Sequence, residues 1–369
     1  MPGGADITPA DLEALGLYDP AAEDAQERLE LLEYLVSLGA TSDDLTAYRD
    51  ELPGLASVLA IRGGAALTLA EAAQRSGLPV EKVRRINRAS GFPEPGPGDR
   101  VLTEKFPGLA AGMAAAESLF GEEAVLQLTR VMGSSMARIA DAIVSAFLVN
   151  VEPAARGEER SDISVARANA EATALLPFVA ETIDILLRQH LLTARRTILG
   201  DAADTGFETQ RMCVGFVDLV GSTSLAERLS TRDYGAVLTE FEHVAADTVT
   251  GAGGRVIKLI GDEVLFTTGD ERAACGVALD LTEQFAEHPR VPAARAGLAF
   301  GDVLLRDGDV FGPVVNLAAR AAAVAGPDEV VVPPAVAEAA GLPAESLGRQ
   351  ALKGFESGVE LCRLEKIPA

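Results

Sequence analysis

Two hydrophobic rhythms divide the chain. Up to residue 200, apolar positions recur every three to four residues among Ala, Leu, Glu and Arg, the spacing of helices that bury one stripe. This predicts helices over Asp24–Leu38, Thr103–Phe120, Glu122–Leu148 and Asp162–Leu199. Leu67–Ala89 reads as helix, turn and helix, broken at Ser76-Gly77-Leu78-Pro79. Gly91–Gly98 is a loop by its Gly and Pro content, and Arg156–Ser161 is a charged connector. Pro177 is expected to kink or restart the last helix, which carries Val179, Ile183, Leu187 and Leu191 on one stripe. That helix should end at Arg195-Arg196 with Gly200 as its cap. Asp201–Thr209 has no apolar period and reads as a linker.

From Arg211 onward, short β-branched runs alternate with Ala-rich helical segments. Arg211–Val220 is a buried-strand pattern with one carboxylate, Asp218, near its end, and Gly221-Ser222-Thr223 then opens a helix. Arg255–Phe266 is two apolar runs around Gly261-Asp262, the signature of a tight hairpin. Helices are expected at Tyr234–Ala252, Glu271–Glu287 and Val314–Ala325. Strands are expected at Ala294–Phe300, Asp302–Leu305, Glu329–Val332, Glu345–Leu352 and Val359–Leu364. The order predicts an α+β sheet domain with helices on one face. The chain thus reads as an all-α domain over 1–200, a linker over 201–209 and a sheet domain over 210–369.

With 369 residues and 48% apolar content, the chain can build two or three cored domains. Its formal charge of −23 repels nucleic acid and anionic membrane surfaces. A nucleotide substrate stays compatible, because bound divalent cations reverse the local sign. Cys213, Cys275 and Cys362 give neither a disulfide framework nor a zinc spacing, and fit a reducing cytoplasm. The N-terminal Met-Pro-Gly-Gly-Ala-Asp lacks the marks of a signal peptide. The greasy Met136–Val151 stretch is interrupted by Arg138 and Asp141, so no membrane insertion is expected.

Candidate chemistry gathers in a few places. Asp218 at a strand end and Asp262 in the next hairpin would meet in space. Carboxylates that close need a cation between them, and oxygen-only ligands suit Mg²⁺ or Mn²⁺. N–H groups at the helix start after Asp218 are placed to receive phosphate. Lys258 lies four residues before Asp262. Asp309 precedes Val-Phe-Gly, and Asn316 and Arg320 share one helix face. Singly, these are a turn residue, a surface amide and a solvated arginine; their joint spacing is the signal. In the helical half, Arg84, Arg85 and Arg88 offer a DNA-reading face. The acidity of the chain favours instead a tri-helical packing unit with a solvated basic face. His190, just before the linker, is either a pH-sensing group or a plain bundle-face histidine.

Phe216-Val-Asp218-Leu-Val-Gly-Ser-Thr, Lys258-Leu-Ile-Gly-Asp262-Glu and Asp309-Val-Phe-Gly-Pro-Val-Val-Asn316-Leu-Ala-Ala-Arg320 together resemble the catalytic domain of class III adenylate cyclases, over residues 205–369. The resemblance implies a ferredoxin-like α+β catalytic domain. The N-terminal half resembles the helical regulatory region found ahead of this domain in some actinobacterial cyclases. Asp218 and Asp262 would hold two Mg²⁺ or Mn²⁺ ions, Arg320 would stabilise charge on the α-phosphoryl group, and Asn316 would hold the ribose. Lys353, in Leu-Lys-Gly-Phe, matches the family's lysine that contacts the distal phosphates. Attack of the ribose 3′-oxygen on the α-phosphorus would give 3′,5′-cyclic AMP and pyrophosphate, mainly through positioning and charge stabilisation. Lys258 only donates and Asp309 only accepts, which matches adenine N1 and its 6-amino group and mismatches guanine, so ATP is expected over GTP. Asp307-Gly308 offers another register for the hairpin turn, and Phe311-Gly312 favours Asp309 over Asp307.

In this family the metal-binding acids come from one chain and the base-reading and transition-state residues from its partner. All are present here, which implies a head-to-tail homodimer with two equivalent sites, switched by small shifts between subunits. The N-terminal half is expected to bias that dimer, on an input of pH (through His190 or carboxylates) or of an apolar ligand held between helices. Two other readings compete. A diguanylate cyclase shares part of Gly261-Asp262-Glu263-Val264-Leu265-Phe266 but has no place for Asn316 and Arg320. A transcription regulator with a degenerate, nucleotide-sensing cyclase domain needs DNA affinity that the charge opposes.

Overall fold

The computed structural model describes residues 7–62, 66–150, 161–201 and 209–365. The chain divides into two compact units, Met1–His190 and Leu191–Ala369.

The first unit is helical. Its helices are α1 (Pro9–Ala14), α2 (Ala25–Ser37), α3 (Ser42–Ala47), α4 (Leu52–Arg62), α5 (Leu69–Ser76), α6 (Val80–Ala89), α7 (Phe106–Phe120), α8 (Glu122–Asn150), α9 (Asp162–Thr173) and α10 (Leu176–Asp201), the last running on into the second unit. Thr8, Thr41 and Thr68 each start a helix with a capping box closed by Asp11, Asp44 and Glu71. One core gathers Leu31, Leu32, Leu35, Leu45 and Leu55, and another Leu67, Val83, Ile86, Leu102 and Phe106.

The helix–turn–helix forms, with Gly77 at φ 72° ending α5. Its arginines are already answered by acids of the same unit. Arg85 meets Glu122 at 2.7 Å, and Arg84 meets Glu81 at 2.5 Å and Glu94 at 2.9 Å. Arg88 lies near the same two acids, at 3.8 and 3.9 Å. The segment is a packing unit with a neutralised basic face.

Pro177 restarts the last helix, which runs through Gly200 instead of stopping there. The connector at 156–161 and the linker at 201–209 fall largely outside the described residues. The stripe on α10 is covered only in part: Val179 and Ile183 are half-buried, while Leu187 and Leu191 are 55% and 60% exposed. Among the described residues α8 alone is long and apolar enough, by length and composition, to cross a membrane; Arg130, Arg138 and Asp141 interrupt it.

The second unit contains β1 (Thr209–Leu219), α11 (Ser222–Arg228), α12 (Thr231–Gly251), β2 (Arg255–Ile260), β3 (Glu263–Thr268), α13 (Glu271–Ala286), β4 (Ala294–Arg306), β5 (Asp309–Phe311), α14 (Pro313–Val324), β6 (Val330–Val332), α15 (Pro334–Ala340), β7 (Ala344–Gln350) and β8 (Val359–Leu364). The strands form one sheet in the order β2-β3-β1-β4-β6-β8-β7, with β5 paired to β4. Among the described residues only β4 and β6 pair in parallel. This is the expected α+β domain.

Alternation along β1 sorts the two faces. Cys213, Val217 and Leu219 share a core with Phe241, Phe285 and Val336 from α12, α13 and α15. Met212, Val214 and Phe216 share the other with Ala318 and Ala322 of α14. The expectation of helices on one face therefore needs correcting: α14 covers the opposite face, because the central strands are apolar on both sides. Gly297 makes that packing close. A Cβ there would lie 1.9 Å from the Ala322 nitrogen and 2.4 Å from the Ala318 oxygen. The two strands expected at Ala294–Phe300 and Asp302–Leu305 are one strand, β4, with Gly301 inside it. Neither β5 nor α15, three and seven residues long, was expected, since neither is long enough to show a period.

Candidate active site

The acid cluster is built by the hairpin between β2 and β3. Ile260 pairs with Glu263, so Gly261 and Asp262 form a two-residue turn, with Gly261 at φ 66°. The Leu219 N–H donates to the Asp262 carbonyl at 3.1 Å, which docks the turn on the end of β1. There Asp218 pairs with Glu263 on one side and Arg295 on the other. Asp218 follows Phe216 by two residues and so lies on the α14 face.

Arg295 donates to Asp218 Oδ2 twice, from Nε at 2.9 Å and Nη2 at 2.6 Å. Burial still lifts the Asp218 carboxyl above the ordinary range; the Arg295 hydrogen bond opposes this and the Asp262 charge adds to it. Burial, with the charges of Asp218 and Asp262, pushes Glu263 up to about 7. Sequence reasoning did not name Arg295, and met Glu263 only in the diguanylate cyclase comparison, not as a site residue. A signal for Arg295 was available: it is the only charge in the apolar run Ala294–Phe300. Its partner follows only from strand pairing.

A second group forms on the same face, further along β2 from the hairpin turn. Lys258 of β2 pairs with Leu265, a member of the α14-side core. Its Nζ donates to Asp309 Oδ2 at 2.6 Å. Asp307 and Gly308, at φ 57° and 82°, make the turn between β4 and β5, which leaves Asp309 to face Lys258. Asp309 Oδ1 also accepts from the Val310 N–H at 2.8 Å.

The remaining candidates stand apart. Asn316 and Arg320 lie exposed on the flank of α14 that faces away from its buried Ala318, Ala321 and Ala322. Lys353 is exposed in the turn between β7 and β8. No hydrogen bond or ion pair among the described residues joins Asn316, Arg320 or Lys353 to Asp218 or Asp262. Nor do any three or more His, Cys, Asp or Glu side chains there form a metal cage.

Comparison with known proteins bears on both units. The family model of the adenylate cyclase regulatory domain matches residues 10–192. An uncharacterized protein of Mycobacterium tuberculosis is 34% identical over 369 residues, covering 97% of this chain and 94% of its own. An adenylate cyclase of Streptomyces coelicolor is 34% identical over 271 residues, covering 73% of this chain and 70% of its own. A pH-sensitive adenylate cyclase of M. tuberculosis is 29% identical over 352 residues, covering 92% and 88%. With its helical unit matching the regulatory family and an adenylate cyclase relative matched over most of both chains, the chain belongs to the actinobacterial-type adenylate cyclases that carry an N-terminal regulatory domain.

Proposed function

We propose that this cyclase closes ATP to 3′,5′-cyclic AMP with release of pyrophosphate, at two equivalent sites shared by a head-to-tail homodimer. The observation that carries the reading is the acid pair. Asp218 and Asp262 are drawn together at one strand end, each offering hard oxygen ligands.

A pair of carboxylates suits a small divalent ion that keeps waters and takes its other ligands from substrate phosphates. Asp218 and Asp262 would hold two such Mg²⁺ or Mn²⁺ ions, which when bound lower the pKa of the ribose 3′-hydroxyl and neutralise the triphosphate. Lys258 and Asp309 read the adenine edge as donor and acceptor. Asn316 orients the ribose, Arg320 stabilises charge developing on the α-phosphoryl group, and Lys353 steadies the distal phosphates. Within one chain Asn316 and Arg320 stand apart from the acids, which supports a site completed by a partner. Leu259, Ile260 and Phe311 near the two groups are 38%, 47% and 45% exposed, apolar surface fit for that interface.

The regulatory domain over 1–200, joined by the 201–209 linker to the catalytic domain over 210–369, biases the dimer. An open pocket of about 780 Å³ has an apolar wall of Ile61, Ile143, Val144, Phe147 and Val165 with Asp50, Glu51 and Asp162 also lining it, room for a ligand that is apolar on one side and polar on the other. The pH-sensitive relative supports a proton input, and His190 is exposed on α10. Three buried free thiols support a reducing, cytoplasmic setting.

The test is turnover by full-length protein with Mn²⁺, at pH 6 and pH 8, with ATP and GTP. Cyclic AMP that disappears in Asp262→Ala is expected; its persistence would sink the assignment of the acids. Mixing Asp262→Ala with Arg320→Ala should restore up to about a quarter of the activity, since random pairing gives half heterodimers with one intact site each. No restoration would argue for a site within one chain.

A further inference from the structure

The acid proposed to take a cation already has one. Arg295 spends two charge-assisted hydrogen bonds on a single oxygen of Asp218, at 2.9 and 2.6 Å. The two side chains retain 33% and 19% of their exposure, so water screens the pair only in part. Asp262 is docked beside them by its bond to Leu219, and Glu263 stands across the register from Asp218. Three acidic residues thus gather at one strand end, and the guanidinium bonds one of them, Asp218. Two facts follow from this arrangement. Without a positive charge, the acids would repel one another. With Arg295 in place, a divalent ion meets a positive charge and an occupied oxygen.

We infer that Arg295 is a built-in counter-ion that holds the acid cluster together in the metal-free chain, and that its displacement from Asp218 sets the threshold for cation entry. The inference rests on the reading of Asp218 and Asp262 as cation ligands. Arg295 is here a positioning residue, acting through Asp218. The idea separates from a simple structural role, under which losing Arg295 would disorder Asp218 and weaken cation binding.

The experiment is Mn²⁺ titration of the full-length, nucleotide-free protein, read by the loss of the free-ion electron paramagnetic resonance signal. Arg295→Gln is expected to tighten binding about tenfold, or roughly 1.4 kcal/mol. Arg295→Lys, which keeps the charge, should stay within about threefold of wild type. A second readout needs no metal affinity: in EDTA, Arg295→Gln should melt lower than wild type, and Mn²⁺ should raise its midpoint by more. Unchanged or weaker binding in natively folded Arg295→Gln overturns the inference, and the metal reading survives if Asp262→Asn still abolishes binding. Mn²⁺ binding that persists in both Asp218→Asn and Asp262→Asn removes the metal reading and this inference together.

Discussion

Replacing Glu263 by Gln should stabilise the catalytic unit above neutral pH and do little below pH 5. The carboxyl is raised from 4.5 to about 7 by burial and by the charges of Asp218 and Asp262, against the pull of Arg295. A raised acid keeps its proton in the folded state after the unfolded chain has lost it. Folded protein therefore binds more protons between pH 4.5 and 7, and stability falls as pH rises through that window. Each pKa unit is worth about 1.4 kcal/mol, so a partly exposed group shifted this far costs roughly 2–3 kcal/mol once fully ionised. For a unit of this size that is about 5–10 °C in midpoint. The assay is thermal unfolding of wild type and Glu263→Gln in EDTA at pH 5 and pH 8. Glu263→Gln should melt higher at pH 8, with the gap closing at pH 5. Added Mn²⁺ at pH 8 should recover much of the gap for wild type, because a cation offsets the same repulsion. A gap equal at both pH values, or of opposite sign at pH 8, would refute the electrostatic account of this cluster.

Other expectations follow from single contacts. Gly297→Ala places a Cβ on backbone of α14 and should cost about 3 kcal/mol, lowering the midpoint by roughly 6–12 °C; an unchanged melt would mean that the helix can lift off the strand. Lys258→Ala leaves Asp309 without its 2.6 Å partner and removes the donor aimed at the base. The ratio of kcat/KM for ATP over GTP should drop by at least about tenfold, whereas equal losses for both nucleotides would argue against base reading. Cys213, Cys275 and Cys362 are buried, and burial pushes the Cys275 thiol up to about 12. None should react with a thiol reagent in native protein, and all three should in guanidinium; a fast native reaction would place one at the surface. Arg62 and the Thr41 cap hold Asp44 at about 2. The stability this gives is complete above pH 4 and lost as pH falls toward 2, so Asp44→Asn should lower the urea midpoint of the helical unit at pH 7 and differ little from wild type near pH 2; an equal difference at both would argue against the ion pair.

How much was legible follows from range along the chain. The hairpin at Gly261-Asp262 was readable because turn chemistry is local, whereas the short capped helices at Pro9–Ala14 and Ser42–Ala47 were not singled out, since six residues show no period. The pairing of Lys258 with Asp309, 51 residues on, was approached only through the family resemblance, which set both against the same base. Arg295 was missed because its meaning lies in a register partner 77 residues away. Gly301 misled in the opposite way: a glycine suggests a break, yet pairing on both sides carries β4 straight through it. The placement of α14 on the far face was hidden because apolar residues on both sides of a strand show that both faces are covered, and not by which helix.

The contact at Gly297 has a mechanical consequence. Backbone of α14 rests on backbone of β4 with no side chain between them to change rotamer. A joint of that kind has no soft coordinate, so strand and helix travel as one lever arm. Arg320 on the helix and Arg295 on the strand are therefore fixed relative to each other inside a protomer. Control in the proposed dimer cannot come from flexing this element. It would come instead from rotating one catalytic domain against its partner, which makes the placing of the two catalytic domains, and not their softness, the quantity a regulator adjusts.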